Sequence, residues 1–323
     1  MNQELDLDSL NNIEGGELLT TIPVAPEGFK SGFVAIVGRP NVGKSTLMNH
    51  LIGQKIAITS PVAQTTRNRL RGILTTPQAQ IIFVDTPGIH KPHHDLGKVL
   101  VQNAKTAIKS VDLVLFMVDS SVDAGTGDRF ILDILKRFDT PVVLGLNKVD
   151  LQPSNCQFID DSYSDLIADT NWSTVKFSAT TGQGTEQLQK VLIDKLDSGP
   201  YYYPPDLVTD QPERFIMAEL IREQILLHTR QEIPHSVAIT IEKVEETPKI
   251  TKVNAAINIE RSSQKGIIIG KKGSMLKTIG SAARQQIQKL IAGKVHLELF
   301  VKVEPKWRQS RLRLAEFGYQ VED

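Results

Sequence analysis

Nine residues constrain this chain more than any others. Gly38 to Thr46 read GRPNVGKST, directly after the apolar run FVAIV and ahead of the helix-forming run TLMNHLIG. Gly38, Gly43, Lys44 and Ser45 match the phosphate-loop spacing G-x-x-x-x-G-K-[ST], in the strand–loop–helix context that gives the pattern meaning. The glycines let backbone N–H groups curl around phosphate oxygens at the positive end of a helix. The Lys44 ammonium reaches the β- and γ-phosphates, and the Ser45 hydroxyl binds magnesium. Arg39, Pro40, Asn41, Val42 and Thr46 complete the expected phosphate-contacting loop.

Two later apolar strands end in residues that select the rest of the ligand. IIFVDTPG, residues 81–88, ends in Asp85, where a phosphate-loop enzyme holds magnesium, usually through water. Thr86, Pro87, Gly88 and Ile89 follow, and the Gly88 N–H is placed to meet the γ-phosphate. PVVLGLNKVD, residues 141–150, ends in Asn147, Lys148 and Asp150. A carboxylate at Asp150 accepts from both the ring N–H and the exocyclic amine of guanine, a donor pair adenine lacks. Ser178 and Ala179, after a short strand, suit the loop that closes over the base. In this order the motifs resemble those of the P-loop GTPases. The resemblance implies a mostly parallel α/β sheet with helices on both faces and the ligand at the strand C-termini.

Two departures from the Ras-like pattern bear on catalysis. Ile89 stands where those proteins carry the glutamine that orients the attacking water, so slow intrinsic hydrolysis is expected. GTPases with a GRPNVGKS loop often use the residue at Asn41 to hold a potassium ion beside the phosphates. Lys44, Asn41 and Gly88 are therefore the expected catalytic groups. Within ITSPVAQTTRNRLRGIL a switch threonine must complete the magnesium shell. Thr65 and Thr66 are both candidates; similarity to the superclass containing Era, EngA-type proteins and MnmE implies Thr66. His90, His93, His94 and Asp95 are read as a polar, solvated loop rather than a metal site.

The formal net charge is zero, but its distribution is uneven. Ser31 to Pro200 carries 17 basic and 16 acidic residues, whereas Arg261 to Arg313 carries 13 basic residues against Glu298 and Glu304. A basic stretch of this density suggests a polyanionic partner. The single cysteine, Cys156, excludes an intramolecular disulfide and fits a reducing cytosol. No apolar run approaches the ~18–20 residues that span a bilayer. Residues 1–30 are expected to form a mobile acidic extension.

DSGPYYYPPDLVTDQPERF reads as a linker between a first domain, 31–199, and a second, 212–323, with 200–211 joining them. PERFIMAELIREQILLHT reads as a helix apolar on one side. Two alternating strands follow, then Gly270-Lys271-Lys272-Gly273 between helical segments, then the alternating strand VHLELFVKV. A G-x-x-G turn between helices is the device by which KH domains clamp about four nucleotides of single-stranded RNA. Lys277 and Arg284 on the following helix, and Lys306 and Arg308 beyond the last strand, extend the expected RNA contacts. Trp307, Arg311 and Arg313 either lengthen that path or pack on the strand.

A GTPase domain with the QTTR switch followed by a type II KH domain, itself an α+β fold, resembles the Era family of bacterial GTPases. The resemblance spans about residues 31–315. It implies GTP and GDP as ligands and magnesium; a potassium ion is the further expectation of the GRPNVGKS loop, the alternative being that Asn41 is a plain turn residue. It also implies binding of single-stranded 16S ribosomal RNA near its 3′ end and assistance to small-subunit assembly. A cytoplasmic monomer with peripheral contact to the inner membrane is the accompanying expectation. The alternative is a GTP-dependent signalling switch whose C-terminal domain binds a protein.

Overall fold

Strand β1 (Lys30–Val37) contributes residues to two different cores, because its sheet is covered on both faces. The computed structural model describes residues 22–60, 70–86, 88–89, 95–229 and 233–317. After β1 come α1 (Lys44–Ile52), β2 (Leu70–Thr75), β3 (Ala79–Asp85), α2 (Asp95–Lys109), β4 (Leu113–Asp119) and α3 (Thr126–Leu135). Then follow β5 (Val142–Asn147), α4 (Gln157–Leu166), β6 (Ser173–Phe177) and α5 (Thr185–Lys195). The sheet order is β2-β3-β1-β4-β5-β6; β2 runs antiparallel to β3 and the other neighbours are parallel. Val34 and Ile36 pack toward α1 and α5, while Ala35 and Val37 pack toward α2, α3 and α4. Two-sided burial is why these strands read as near-continuous apolar runs. The order reverses at β1, which lies between β3 and β4, and this opens a crevice at the C-terminal strand ends.

The second unit runs α6 (Glu213–His228), α7 (Ile233–Ser236), β7 (Ala238–Glu246), β8 (Thr251–Ile259), α8 (Ser262–Ile269), α9 (Ser274–Leu290), β9 (Val295–Val303) and α10 (Arg311–Glu316). Its sheet is β7-β8-β9, antiparallel then parallel, and α6 and α9 pack over one face around Leu220, Ile257, Ile279 and Ile287. The alternation in β7 breaks at a bulge between Ile241 and Lys243. In the central strand β8, Ala256 and Asn258 are buried as well as the core-facing Val253, Ala255 and Ile257.

Two elements are more buried than their sequence suggests. Helix α6 sets its apolar side on the second unit's core as expected, but Leu220 to Leu226 is buried without a break, including the polar Arg222, Glu223 and Gln224. One face lies on the second unit's core, and Glu223 on another reaches Lys55 and Thr59 of the first unit. The segment 200–211, expected as a linker, is packed against the first unit. The amide of Ile73 donates to the Val208 carbonyl (2.8 Å) and Thr209 Oγ1 donates to the Arg71 carbonyl (2.6 Å). Gln80, fully buried, accepts from Tyr202 and Tyr203 N–H and donates to the Tyr203 carbonyl. The segment is laced along β2, at the end of the sheet. Within the expected extension, Phe29 is buried and its ring lies 4.3 Å from that of Tyr201; residues 1–21 lie outside the described residues.

Candidate functional site

The loop Gly38–Gly43 is shaped by backbone conformations that the sequence anticipates. Asn41 and Gly43 both have positive φ, 64° and 99°. A Cβ on Gly43 would also lie 2.4 Å from Asn147 Nδ2, so only glycine fits there. The Lys44 side chain folds back over the loop, donating to the carbonyls of Arg39 (3.0 Å) and Gly38 (3.3 Å). Burial pushes its ammonium pKa down to about 8, against the opposing pull of Asp85. An anion entering the loop meets a cation that is poorly solvated and held by two weak acceptors. Ser45 Oγ donates to Asp85 Oδ2 at 3.0 Å, which pairs a hydroxyl and a carboxylate, hard oxygen donors suited to magnesium. Thr86 Oγ1 donates to the Ile36 carbonyl and fixes the end of β3.

Gly88 touches the phosphate loop: a Cβ there would meet Pro40 at 2.8 Å. The Ile89 N–H donates to the Gly38 carbonyl, and the Ile89 side chain is buried in the core that holds Ala35 and Val37. Burying such a side chain is worth about 1.5–3 kcal/mol, whereas an amide there without partners would cost roughly 1–3 kcal/mol. Position 89 serves packing, and its side chain carries no polar atom. Arg39 is expected among the ligand contacts, but its guanidinium is turned to the fully buried Asp128 of α3 (2.8 Å). Its carbonyl accepts from Lys44 Nζ. Pro87, Thr65 and Thr66, as well as His90, His93 and His94, lie outside the described residues, as does the side chain of Asp95.

Asn147 ties the base-binding end to this loop. Its Nδ2 donates to the Val42 carbonyl (2.7 Å), its Oδ1 accepts from Ala179 N–H (2.8 Å), and it is almost fully buried. Lys148 has φ 71° and pairs with Asp119. Burial pushes the Asp119 carboxyl up, but hydrogen bonds from Lys148 and Ser121 outweigh this and hold it below its usual range. Asp150 sits exposed on a single 3-10 turn, Val149–Leu151, with its carboxylate available to a ligand. Ser178 is buried and accepts from Thr181 N–H through its Oγ. Among the described residues, Asn147 thus joins the base-side segments to the phosphate loop, while Ser45–Asp85 and Gly88 meet that loop from β3 and its C-terminal end.

The crevice has a wall the sequence did not announce. A cavity of about 660 Å³ is lined by Pro40, Asn41, Lys44, Ser45 and Gly88, and also by Lys55, Thr59, Glu223, Gln224, Leu227 and Gln286. The last four belong to α6 and α9 of the second unit. No local pattern marks them, because their position comes from packing between units.

In the second unit, Gly270, Lys272 and Gly273 all have positive φ, which makes the turn between α8 and α9 sharp. Lys271 and Lys272 are exposed at its tip. Next to it lies a groove of about 410 Å³ between α9 and β9, lined by Gly273, Leu276, Lys277, Gly280, Ser281, Arg284, His296, Leu297 and Leu299. Its apolar floor and basic rim suit stacked bases and a phosphate backbone. Lys306 and Arg308 are not brought to this groove. They follow β9 at its other end, where Arg308 pairs with Glu260. Trp307 is buried with its indole N–H donating to the Ser236 carbonyl, and Arg313 pairs with Glu304 and Glu316. This end of the chain packs rather than lengthening the groove.

A family profile described as "50S ribosome-binding GTPase" matches residues 33–148, and one described as "KH domain" matches residues 232–308. GTPase Era of Crocosphaera subtropica is 72% identical over 323 residues, covering 100% of both chains. The chain belongs to the Era GTPase family. GTPase Era of a Nostoc species is 70% identical, again over 100% of both chains. Among solved structures, Era in complex with MgGDPNP and nucleotides 1506–1542 of 16S ribosomal RNA superposes with a TM-score of 0.84 at 39% identity, covering 90% of this chain and 99% of that one. A variant of Aquifex aeolicus Era bound to GDP.AlF4- matches equally, at 38% identity. As an Era-family GTPase the chain binds guanine nucleotides and hydrolyses GTP to GDP. Among the described residues, no helix is long and apolar enough to cross a membrane.

Proposed function

We propose that this chain couples its GTP cycle to capture of single-stranded 16S ribosomal RNA near the 3′ end, and thereby assists assembly of the small ribosomal subunit. The observation that carries the reading is the basic groove behind the Gly270–Gly273 turn. It lies in a chain whose architecture follows, over 90% of its length, that of a relative described with a 16S fragment and MgGDPNP. Gly270, Lys271, Lys272 and Gly273 clamp the backbone, and Lys277 and Arg284 hold phosphates beside the groove. The protein works as a cytoplasmic monomer with peripheral membrane contact.

In the hydrolytic step the bond between the γ-phosphorus and the β–γ bridging oxygen breaks and water supplies the new oxygen. Lys44 and the Gly88 N–H stabilise charge on the transferred group, and Asn147 and Asp150 hold the base so that the phosphates are in register. Magnesium fits the Ser45–Asp85 pair, with Thr66 as the third expected ligand; when bound it neutralises phosphate charge. A potassium ion held near Asn41 would take the place of a missing cationic side chain. Hydrolysis is then expected to run faster in potassium than in sodium at equal ionic strength, and equal rates would remove that role from Asn41. Crosslinking in cells followed by sequencing of the bound RNA tests the wider reading. Enrichment of the 3′ end of 16S RNA is the expected result, and recovery of proteins without RNA would return the chain to a protein-binding switch.

A further inference from the structure

Asp128 is a fully buried carboxylate that no sequence pattern marks, and both of its oxygens are in use. Its Oδ2 accepts from the Gly125 N–H at 2.9 Å, which fixes the first turn of α3. Its Oδ1 accepts from Arg39 Nε at 2.8 Å. The arginine stem runs across the start of α3 where residue 127 is glycine: a Cβ there would lie 2.6 Å from Arg39 Cδ. Arg39 stands beyond the last sheet pairing of β1, that of Val37 with Phe116. Its carbonyl accepts from Lys44 Nζ at 3.0 Å. The Gly38 carbonyl accepts from the same nitrogen at 3.3 Å and from the Ile89 N–H.

We propose that Asp128 is a positioning residue that aims Lys44 at the β-phosphate, acting through Arg39. The proposal rests on Lys44 meeting that phosphate. An ammonium has three N–H donors. With two of them on the Gly38 and Arg39 carbonyls, the third points where those carbonyls direct it. Tilting the Arg39 peptide therefore swings the donor that the phosphate meets, and a hydrogen bond weakens steeply when misaligned. The grip on Arg39 is at Nε, nearer the backbone than the guanidinium ends, so little side-chain freedom lies between Asp128 and the carbonyl. Stability alone does not account for the pair. The Arg39 side chain is 30% exposed, and a pair open to water on one side contributes little, while the buried carboxylate carries a desolvation cost. Glycine at 127 is a second cost, since alanine is the better helix former. Both are explained by an arginine that has to lie in one place.

The test measures the affinities of the full chain for GDP and for GMP, which lacks the β-phosphate, by competition against a fluorescent GDP. Wild type is compared with Asp128→Asn and Gly127→Ala. Asparagine keeps the shape of aspartate but has one accepting oxygen, so it cannot serve the Gly125 N–H and Arg39 together. Alanine at 127 leaves the buried carboxylate in place and favours the helix, but it displaces the arginine stem. Asp128→Asn is expected to lose about tenfold in GDP affinity, the scale of one hydrogen bond to a charged group. Gly127→Ala should lose severalfold. GMP affinity should stay within about twofold in each, because Lys44 meets only the outer phosphates. Unchanged GDP affinity in either variant overturns the proposal. So does a loss in equal proportion for both nucleotides, which would make Asp128 a structural prop. Should Asp128→Asn fail to fold, Gly127→Ala decides alone. Wild-type protein that binds GMP as tightly as GDP would take Lys44 off the β-phosphate and remove the reading on which the proposal rests.

Discussion

At the scale of single residues, the site depends on a few charges whose environments differ sharply. Lys44 is buried, and burial pushes its ammonium pKa down to about 8, against the raising pull of Asp85. At about 1.4 kcal/mol per unit, the net penalty on the ammonium, desolvation less the attraction of Asp85, is on the order of 3 kcal/mol, which phosphate contact can relieve. With phosphate bound, the lysine should therefore hold its proton more tightly. Affinity for GDP is expected to be full below pH 8 and to fall as pH rises above it, with proton uptake on binding near pH 8. Calorimetry in buffers of different ionisation enthalpy measures that uptake, and binding with no proton change between pH 7 and 8.5 would contradict it. Asp150 sits at the other end, exposed on its 3-10 turn. Its carboxylate is expected to choose guanine, so Asp150→Asn should move preference toward xanthine nucleotides, whose C2 oxygen accepts from an amide. Competition between GDP and XDP on the variant reads this out directly.

At the scale of elements, what was legible in the sequence follows backbone chemistry. The phosphate loop, the DTPG and NKVD strand ends and the Gly270–Gly273 turn each demand particular residues at fixed spacing, and each is found at the C-terminal end of a strand or the head of a helix. The two-sided burial of α6 is not legible in its sequence, because periodicity reports only the apolar side and the second buried face is polar. Glu223, Gln224 and Gln286 were invisible as site residues for a related reason: nothing local distinguishes a polar helix position facing water from one facing a ligand across a domain boundary. The total of 13 basic residues also overstated the RNA surface. Lys302, Arg308 and Arg313 are engaged by Glu242, Glu260 and Glu304, away from the groove. The turn before α9 keeps its charges at the groove mouth, and Lys271→Asp/Lys272→Asp should weaken RNA binding. It should also lower the log–log salt slope by roughly 0.7 per lost phosphate contact, about 1.4 in total. GTP affinity, measured alongside, is expected to hold. An unaltered salt slope would show that the turn does not touch phosphate.

At the scale of the whole molecule, the two units share more than a tether. Helix α9 carries Lys277 and Arg284 on the groove and Gln286 on the nucleotide cavity, so one rigid rod borders both ligands. The strap from Tyr201 to Asp210 has a different consequence, which concerns self-association. β2 ends the sheet order, and its outward Ile73 N–H and Arg71 carbonyl are occupied by Val208 and Thr209. Exposed strand edges are templates on which another molecule can pair. A fragment cut at Pro200, just past the boundary that composition suggests, would strip this cover. A fragment extended through Gln211 would keep it, together with the Arg71–Asp210 ion pair. Light scattering of the two fragments should show the shorter one clumping with time and concentration while the longer stays dispersed. Equal behaviour would mean that β2 protects itself. The proline-rich stretch is thus a selvedge, the woven border that keeps the sheet from unravelling into its neighbours.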